Sequence, residues 1–190
     1  MKHADLTETQ LASETVFQGG LLRVKRDTVR LHDGNTATRE YIEHNGAVMV
    51  IPVLDSGELL MERQYRYAMS RHCLEFPAGK VDAGEEPLAT GRRELLEETG
   101  YVAGEWTYLA TIHPTVAYST ERILVYLARG LRHEGGKLDD GEHLETLNVT
   151  LDALLELVRT GEITDVKTVI GAFWLEKLLR GEWPGGPVLP

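Results

Sequence analysis

The sequence is poor in cysteine and has no cluster of basic residues. Cys73 is the only cysteine among 190 residues, so no disulfide can form within the chain. Lys and Arg number 20 against 30 Asp and Glu, which gives a formal net charge of −10. Such a balance repels a polyphosphate backbone, and no Lys/Arg run offsets it locally. We therefore expect no nucleic-acid partner.

Long hydrophobic runs are also missing. Residues 1–17 mix charged and polar groups and lack the apolar core of a signal peptide. No segment contains the roughly 20 consecutive apolar residues that a membrane-spanning helix needs. The sequence thus predicts no membrane association and a cytoplasmic location, which a single cysteine fits.

Several catalytic motifs are absent as well. The seven histidines show no HEXXH spacing, and there is neither a GXXXXGK(S/T) loop nor a Rossmann glycine pattern. With 42% hydrophobic and 26% charged residues, the chain suits one packed domain. Its negative charge disfavours an anionic substrate unless a cation bridges the two, which is a first indication that metal ions matter.

Apolar periodicity predicts a mixed α/β domain. The expected strands cover 21–31, 38–43, 47–54, 58–64, 73–77, 106–113, 121–129 and 144–149, and the expected helices cover 85–98, 151–159 and 165–179. The turn residues HDGN at 32–35 predict a hairpin. Thr150 and Asp165 are the expected N-caps of the last two helices.

The helix predicted at 85–98 carries the acidic residues of greatest interest. Glu94, Glu97 and Glu98 stand at i, i+3 and i+4, so their carboxylates project from nearly one face. Each like-charge pair at this spacing costs an isolated helix roughly 0.2–0.5 kcal/mol. A divalent cation such as Mg²⁺, which prefers carboxylate oxygens, would turn this repulsion into coordination. The alternative is a solvated acidic face, and the expected buried stripe is Leu88, Ala89, Leu95 and Leu96.

The segment GKVDAGEEPLATGRRELLEETGY at 79–101 matches a longer fixed pattern. Its specified positions are Gly79, Glu85, Arg93-Glu94-Leu95, Glu97-Glu98 and Gly100. This string resembles the Nudix box, from which only Tyr101 departs. The resemblance implies an α/β/α sandwich with a mixed sheet. We expect a small antiparallel β extension over 1–46, the Nudix domain over 47–183 and a tail over 184–190.

The same resemblance implies roles for individual residues. The implied ligands of Mg²⁺, with Mn²⁺ as a substitute, are Ala78 through its carbonyl, Glu85, Glu94, Glu97 and Glu98. Glu85 has the alternative role of bracing the helix by pairing with Arg93. The implied catalytic residues are Arg93, Glu97, Glu98 and a loop glutamate that acts as general base. Glu142 is the first candidate for that base and Glu145 the second.

Similarity to the ADP-ribose pyrophosphatase subfamily extends over most of the chain. It is carried by TREYIEHNGAV at 38–48, ERQYRYA at 62–68, EFPAGKVDAGE at 75–85, HPTVAYSTERILVYLA at 113–128 and GEITDVKT at 161–168. It implies hydrolysis of ADP-ribose to AMP and ribose 5-phosphate by a homodimer, with residues 18–47 contributing to the partner's site. Arg39, Arg66 and Glu121 are the implied substrate contacts.

Alternatives to these assignments stay open from the sequence. Either arginine has local acids such as Glu40 or Glu43 as possible partners, and Glu121 has a structural role as its alternative. Val116 and Ala117 replace a proline and a glycine that are usual in the subfamily, which keeps other nucleotide sugars open as substrates. An enzyme acting on a nucleotide end of RNA and a non-catalytic binding module are the remaining alternatives.

Overall fold

A computed structural model describes residues 4–136, 138, 143–186 and 188–189 of the protein. The strands are β1 (Thr9–Gln18), β2 (Arg23–Arg30), β3 (Thr36–Glu43), β4 (Ala47–Pro52), β5 (Leu59–Arg66), β6 (Arg71–Glu75), β7 (Ala78–Lys80), β8 (Tyr101–Ile112), β9 (Ile123–His133), β10 (Leu144–Val149) and β11 (Val188–Leu189). The helices are α1 (Pro87–Thr99), α2 (Leu151–Thr160) and α3 (Val166–Leu179). None of the helices in these ranges is long and apolar enough to cross a bilayer.

The first three strands form an antiparallel sheet of their own, in the order β1-β2-β3. The predicted hairpin joins β2 to β3, and Gly34 adopts the positive φ of +88° that its turn requires. The backbone of Ile42 links this sheet to the rest of the chain, accepting from Thr120 at 3.0 Å and donating to Tyr118 at 2.8 Å. Strand β1 was not predicted, because all ten of its residues are exposed and no apolar alternation marks it.

The remaining strands and the helices form the predicted α/β/α sandwich. A five-stranded sheet has the order β11-β8-β9-β4-β7, and a three-stranded sheet has the order β10-β5-β6. Strands β4 and β9 run parallel, whereas their other neighbours pair antiparallel, so the larger sheet is mixed. Helix α1 packs on one face of this sheet, and α2 and α3 lie on the other side with the smaller sheet. The predicted fold class is confirmed.

Strand β4 is the centre of both hydrophobic cores. Val48 and Val50 point towards α1, where they pack with Leu95 and Trp106. The alternate residues of the strand point to the opposite core, which contains Met49, Ile51, Phe76, Leu154 and Leu175. Because both faces of β4 are covered, its sequence is a continuous apolar run rather than an alternating one.

Helix α1 begins two residues after the predicted start at 85 and ends before Gly100, as predicted. Pro87 occupies the first helical position, and Gly100 ends the helix in the left-handed conformation. Gly91 lets the helix approach the sheet, since a Cβ there would lie 3.1 Å from a methyl group of Val48. The predicted buried stripe was wrong for Ala89, which is exposed. Besides Leu95, the buried residues of the helix are Thr90, Gly91, Glu98 and Thr99, so polar side chains share the face that packs on the sheet.

Most other boundaries agree with the sequence-based prediction. Thr150 and Asp165 cap α2 and α3 by accepting from backbone N–H groups three residues further on, as predicted. Strand β8 starts five residues earlier than expected, because Gly100 reverses the chain directly into it. The short strands β7 and β11 were missed, since two or three residues carry no periodic signal. Strand β11 lies in the predicted tail and pairs with Trp106 and Thr107 of β8.

Candidate active site

The first residue of the Nudix-like segment, Gly79, makes room for a carboxylate of α1. A Cβ built on Gly79 would lie 1.8 Å from Oε1 of Glu94 and 1.9 Å from its Cδ. The side chain of Glu94 is only 13% exposed in this position. Any residue larger than glycine would therefore displace the carboxylate, so the glycine and the glutamate form one structural unit.

Arg93 holds the acidic residues of α1 together. Its guanidinium donates to both carboxylate oxygens of Glu85, each at 3.1 Å, and so braces the helix against the preceding loop. It also donates to Glu94 at 2.9 Å and to Glu97 at 3.0 Å. The hydrogen bonds from Arg93 and from Thr90 lower the pKa of Glu85 to about 2. Glu85 is thus ionised at neutral pH and engaged with Arg93.

The third glutamate of the cluster, Glu98, faces the protein interior. Its carboxylate accepts a hydrogen bond from the backbone N–H of Ala78 at 3.1 Å. Next to it lies Glu62 of β5, which is fully buried and whose two carboxylate oxygens receive no hydrogen bond from a donor in the part of the chain that the structure describes. Burial is the main reason that the pKa values of both carboxyl groups are raised, and the presence of other carboxylates nearby raises that of Glu98 further. The carboxyl groups of Glu62 and Glu98 therefore lie next to each other in a poorly solvated part of the interior.

A cavity of about 600 Å³ opens beside this acidic cluster. Arg66 lies in its wall and donates bidentately to Glu75, at 2.8 and 2.9 Å. Lys167 donates to Glu75 from α3, and also to Asp165 at 2.9 Å. Burial alone would raise the pKa of Glu75, but Arg66 and Lys167 outweigh it and lower that pKa to about 2. Arg66 is only partly covered, with 41% of its side chain exposed, so it presents charge to the cavity.

The structure brings together most of the residues that the sequence analysis assigned. Ala78, Gly79 and Glu121 line the same cavity as Arg66. Glu94 lies against Gly79 and Glu98 accepts a hydrogen bond from Ala78, so these two carboxylates of α1 contact residues that line the cavity. Glu97 remains on the outer side of the cluster, held by Arg93.

Arg39 and Glu145 are not among the residues that line the cavity. Arg39 is exposed on the N-terminal sheet, where it pairs with Glu8 at 2.9 Å rather than with either acid considered from the sequence. Glu142 lies outside the described residues. Glu145, the second candidate for the general base, is exposed on β10 and pairs with Arg63 at 3.6 Å.

The residues present fit a hard divalent cation. Carboxylate oxygens are the preferred protein ligands of such ions, and the site offers Glu94, Glu97 and Glu98. Gly79 leaves room for the carboxylate of Glu94. The buried carboxylate oxygens of Glu62, which accept no hydrogen bond from the described residues, would be stabilised by a positive charge nearby. In the ranges described, no group of three or more His, Cys, Asp or Glu side chains is already arranged to hold an ion. Coordination by these glutamates therefore requires some of them to turn away from Arg93.

Sequence reasoning missed three buried charged residues of this site, Glu62, Glu75 and Lys167. Glu62 precedes Arg63 in a polar-looking stretch, which concealed it. Its signal is the two-residue period of a strand, which places Glu62 on the same face as Leu60, one of the apolar residues of β5. Glu75 and Lys167 are 92 positions apart in the chain, so their contact is evident only in the folded structure.

Comparison with known proteins agrees with this geometry. The NUDIX domain profile matches residues 43–168, and that of the nucleoside diphosphate sugar hydrolase N-terminal domain matches residues 8–42. The chain therefore belongs to the Nudix family, and it is a Nudix pyrophosphohydrolase that acts on nucleotide-sugar diphosphates. Hydrolases of this family generally use a divalent metal ion.

The chain is also similar to individual proteins over most of its length. The chain is 37% identical to an ADP-ribose pyrophosphatase of Bacillus subtilis over 90% of its own length and 94% of the relative. It is 34% identical to a methanol dehydrogenase activator of Bacillus methanolicus over 89% and 92% of the two chains. A solved structure of an ADP compounds hydrolase superposes with a TM-score of 0.84 at 25% identity, covering 95% of this chain and 98% of the other.

Proposed function

We propose that the protein hydrolyses the diphosphate bond of ADP-ribose to AMP and ribose 5-phosphate and depends on Mg²⁺, with Mn²⁺ as a substitute. The observation that carries this proposal is that Glu94 and Glu98 contact Gly79 and Ala78, which line the same cavity as Arg66 and Glu121. The Bacillus subtilis relative named ADP-ribose pyrophosphatase supports this choice of substrate. Pyrophosphatase activity on another nucleotide sugar is the alternative.

Some residues of the site would bind the metal ion or the substrate, and others would hold the metal ligands in position. Ala78 through its carbonyl, Glu94, Glu97 and Glu98 are the proposed metal ligands, and a bound divalent ion would neutralise diphosphate oxygens and activate water. Arg93 and Glu85 fix the helix that carries the ligands, which leaves Glu85 a bracing role. Arg66 suits a diphosphate because a guanidinium donates two parallel hydrogen bonds to an oxyanion.

The general base is proposed from the sequence. Glu142 is the first candidate, and it would take a proton from the attacking water as phosphorus is approached. Glu145 is the second, although its carboxylate is exposed and paired with Arg63. Glu142→Gln is expected to lower kcat by at least about 100-fold with little change in KM. A matching loss in Glu145→Gln instead would transfer the role.

We further propose that the protein is a homodimer in which residues 18–47 contribute to the partner's site. Every residue of β1 is exposed in the single chain, and the apolar side chains among them include Leu11, Val16 and Phe17. Apolar surface on an exposed strand is typical of an interface. In such a dimer, the exposed side chain of Arg39 would reach the substrate bound by the partner. Monomeric behaviour in light scattering at micromolar concentration, with full activity, would contradict this proposal.

The proposed dimer also implies a division of the chain into an N-terminal extension, a hydrolase domain and a tail. We propose that residues 1–46 form the dimerisation extension, residues 47–183 the hydrolase domain and residues 184–190 a tail. The two family profiles, which meet between residues 42 and 43, support a division close to this point. We also propose a cytoplasmic location, which the single cysteine supports.

A substrate panel tests the proposed function. Initial rates are measured with ADP-ribose, several other sugar nucleotides and 5′-triphosphorylated RNA, each with Mg²⁺, with Mn²⁺ and with EDTA. We expect the highest kcat/KM for ADP-ribose, with AMP and ribose 5-phosphate as products and no turnover in EDTA. A higher kcat/KM for another sugar nucleotide would replace the substrate. Tight binding of ADP-ribose without turnover in any metal would show a non-catalytic binding protein.

A further inference from the structure

Three buried carboxyl groups meet beside the cavity, and they are unequally paired. Glu75 receives hydrogen bonds from Arg66 and Lys167, and Glu98 receives one from the backbone of Ala78. Glu62 is fully buried, and none of the described residues donates a hydrogen bond to either of its carboxylate oxygens. A buried carboxylate without a donor is strongly disfavoured, so this side chain requires a positive charge or a proton next to it.

The fold directs Glu62 at the acidic face of α1. Glu62 and Glu75 stand opposite each other in the antiparallel pairing of β5 with β6, so both side chains leave the sheet on the same face. The carboxyl groups of Glu62 and Glu98 lie within hydrogen-bonding reach of each other. Two ionised carboxylates are both acceptors, and therefore they cannot hydrogen-bond to each other without a shared proton or a cation.

The charges around this pair favour a cation. Among the described residues, the ionised carboxylates of Glu62, Glu75 and Glu98 are accompanied by two cationic side chains, those of Arg66 and Lys167, and Glu94 adds a further negative charge near Glu98. Both cations donate to Glu75, and although their charges also favour the ionised form of Glu62, its burial outweighs them. Mg²⁺ sites in proteins commonly consist of one or two carboxylates, with water and substrate phosphate oxygens as the other ligands.

We propose that Glu62 is a further ligand of the divalent cation and holds it together with Glu98. This inference rests on the proposed function, because it concerns the same ion that Glu98 would bind. It adds to the metal site a residue of β5, outside the helix that carries the other glutamates. The competing arrangement is a proton shared by the two carboxyl groups, and the experiment separates the two.

Manganese binding tests the inference without reference to turnover. Binding is followed by the electron paramagnetic resonance signal of free Mn²⁺, in the absence of substrate, for the wild type, Glu62→Gln and Glu105→Gln. Glu105 is an exposed acid on β8 and serves as the matched control. Glu62→Gln is expected to weaken binding by about tenfold or more, as the loss of groups around a metal does. An affinity of Glu62→Gln within twofold of the wild type is the result expected for a shared proton, and it would overturn the inference.

Thermal unfolding supplies a second measurement. In EDTA, Glu62→Gln should unfold at the same temperature as the wild type or higher, because one of two facing carboxylates has been removed. Saturating Mn²⁺ should raise the unfolding temperature of the wild type by more than that of the variant. Equal increments would contradict the inference. Glu62→Met, which fills a similar volume without a charge, is expected to behave as Glu62→Gln does and replaces it should the amide prevent folding.

The outcome for the wild type separates this inference from the proposed function. If the wild type hydrolyses nucleotide sugars and binds Mn²⁺ while Glu62→Gln binds it equally well, only the role of Glu62 is refuted. If the wild type neither binds Mn²⁺ nor hydrolyses any nucleotide sugar, the proposed function fails and the inference fails with it.

Discussion

Substitution of Gly79 by alanine should damage the site while leaving the fold intact. The added methyl group would lie 1.8 Å from Oε1 of Glu94, whereas ordinary contacts begin at 3.4 Å. The clash is with the end of a flexible side chain, so the carboxylate can yield where a backbone atom could not. It must move by about 1.5 Å, and a displacement of about 1 Å in an active site is known to cost on the order of 100-fold in rate.

The effect on stability should be small. Gly79 does not have a positive φ, so alanine is compatible with its backbone, and in a strand alanine is favoured over glycine by roughly 0.5–1 kcal/mol. This gain offsets part of the cost of moving Glu94. We therefore expect Gly79→Ala to keep its free energy of unfolding within about 1 kcal/mol of the wild type while kcat/KM falls by about 100-fold.

The assay combines steady-state hydrolysis with urea unfolding of the same preparations. Gly104→Ala on β8 is the matched control. A Cβ at Gly104 would lie 3.7 Å from its nearest neighbour, the carbonyl oxygen of Gly130, which is an ordinary van der Waals distance. It should change neither quantity. The reasoning is refuted if Gly79→Ala retains kcat/KM within twofold, because the position of Glu94 would then not matter. A loss of several kcal/mol in stability would equally show that Glu94 cannot yield.

Three further variants test other parts of the site. Glu98→Gln should lower kcat/KM by several orders of magnitude in a steady-state assay, with an unchanged circular dichroism spectrum. Arg93→Lys keeps a charge but loses the double hydrogen bond to Glu85, so urea unfolding should show a loss of about 1–3 kcal/mol, against at most about 0.5 kcal/mol for the exposed Arg159→Lys. Glu85 has a lowered pKa of about 2, so its contribution to stability is fully present above its unfolded pKa near 4.5 and is lost as pH falls towards 2. The difference in unfolding free energy between wild type and Glu85→Gln should therefore be constant above about pH 5 and shrink below it, and a constant difference down to pH 2 would contradict the ion pair.

Local chemistry made much of the fold predictable from sequence. The caps at Thr150 and Asp165 and the stop at Gly100 each depend on a few neighbouring residues, and all three were found where expected. The continuous apolar run of β4 correctly indicated a strand covered on both faces. By contrast, β1 has no buried face in the single chain, so its sequence carries no strand periodicity to detect.

The candidate site was predictable only in part for a similar reason. The glutamates of α1 and their arginine belong to one helix, so their spacing placed them on one face before the fold was known. Their burial was not predictable, because it depends on the sheet that α1 covers. Glu62 of β5 comes next to Glu98, and Lys167 of α3 comes next to Glu75, only after folding, and no local sequence pattern marks such contacts. The role of Arg39 stays a prediction, since in the single chain it pairs with Glu8.

The most direct test of the metal-dependent site is anomalous diffraction from crystals soaked in Mn²⁺ together with a non-hydrolysable analogue of ADP-ribose. We expect an anomalous peak within coordination distance of the Glu98 carboxylate, with a second contact to a diphosphate oxygen of the analogue. A clearly bound analogue with no anomalous peak near Glu94, Glu97 or Glu98 would contradict a function for these carboxylates in binding metal.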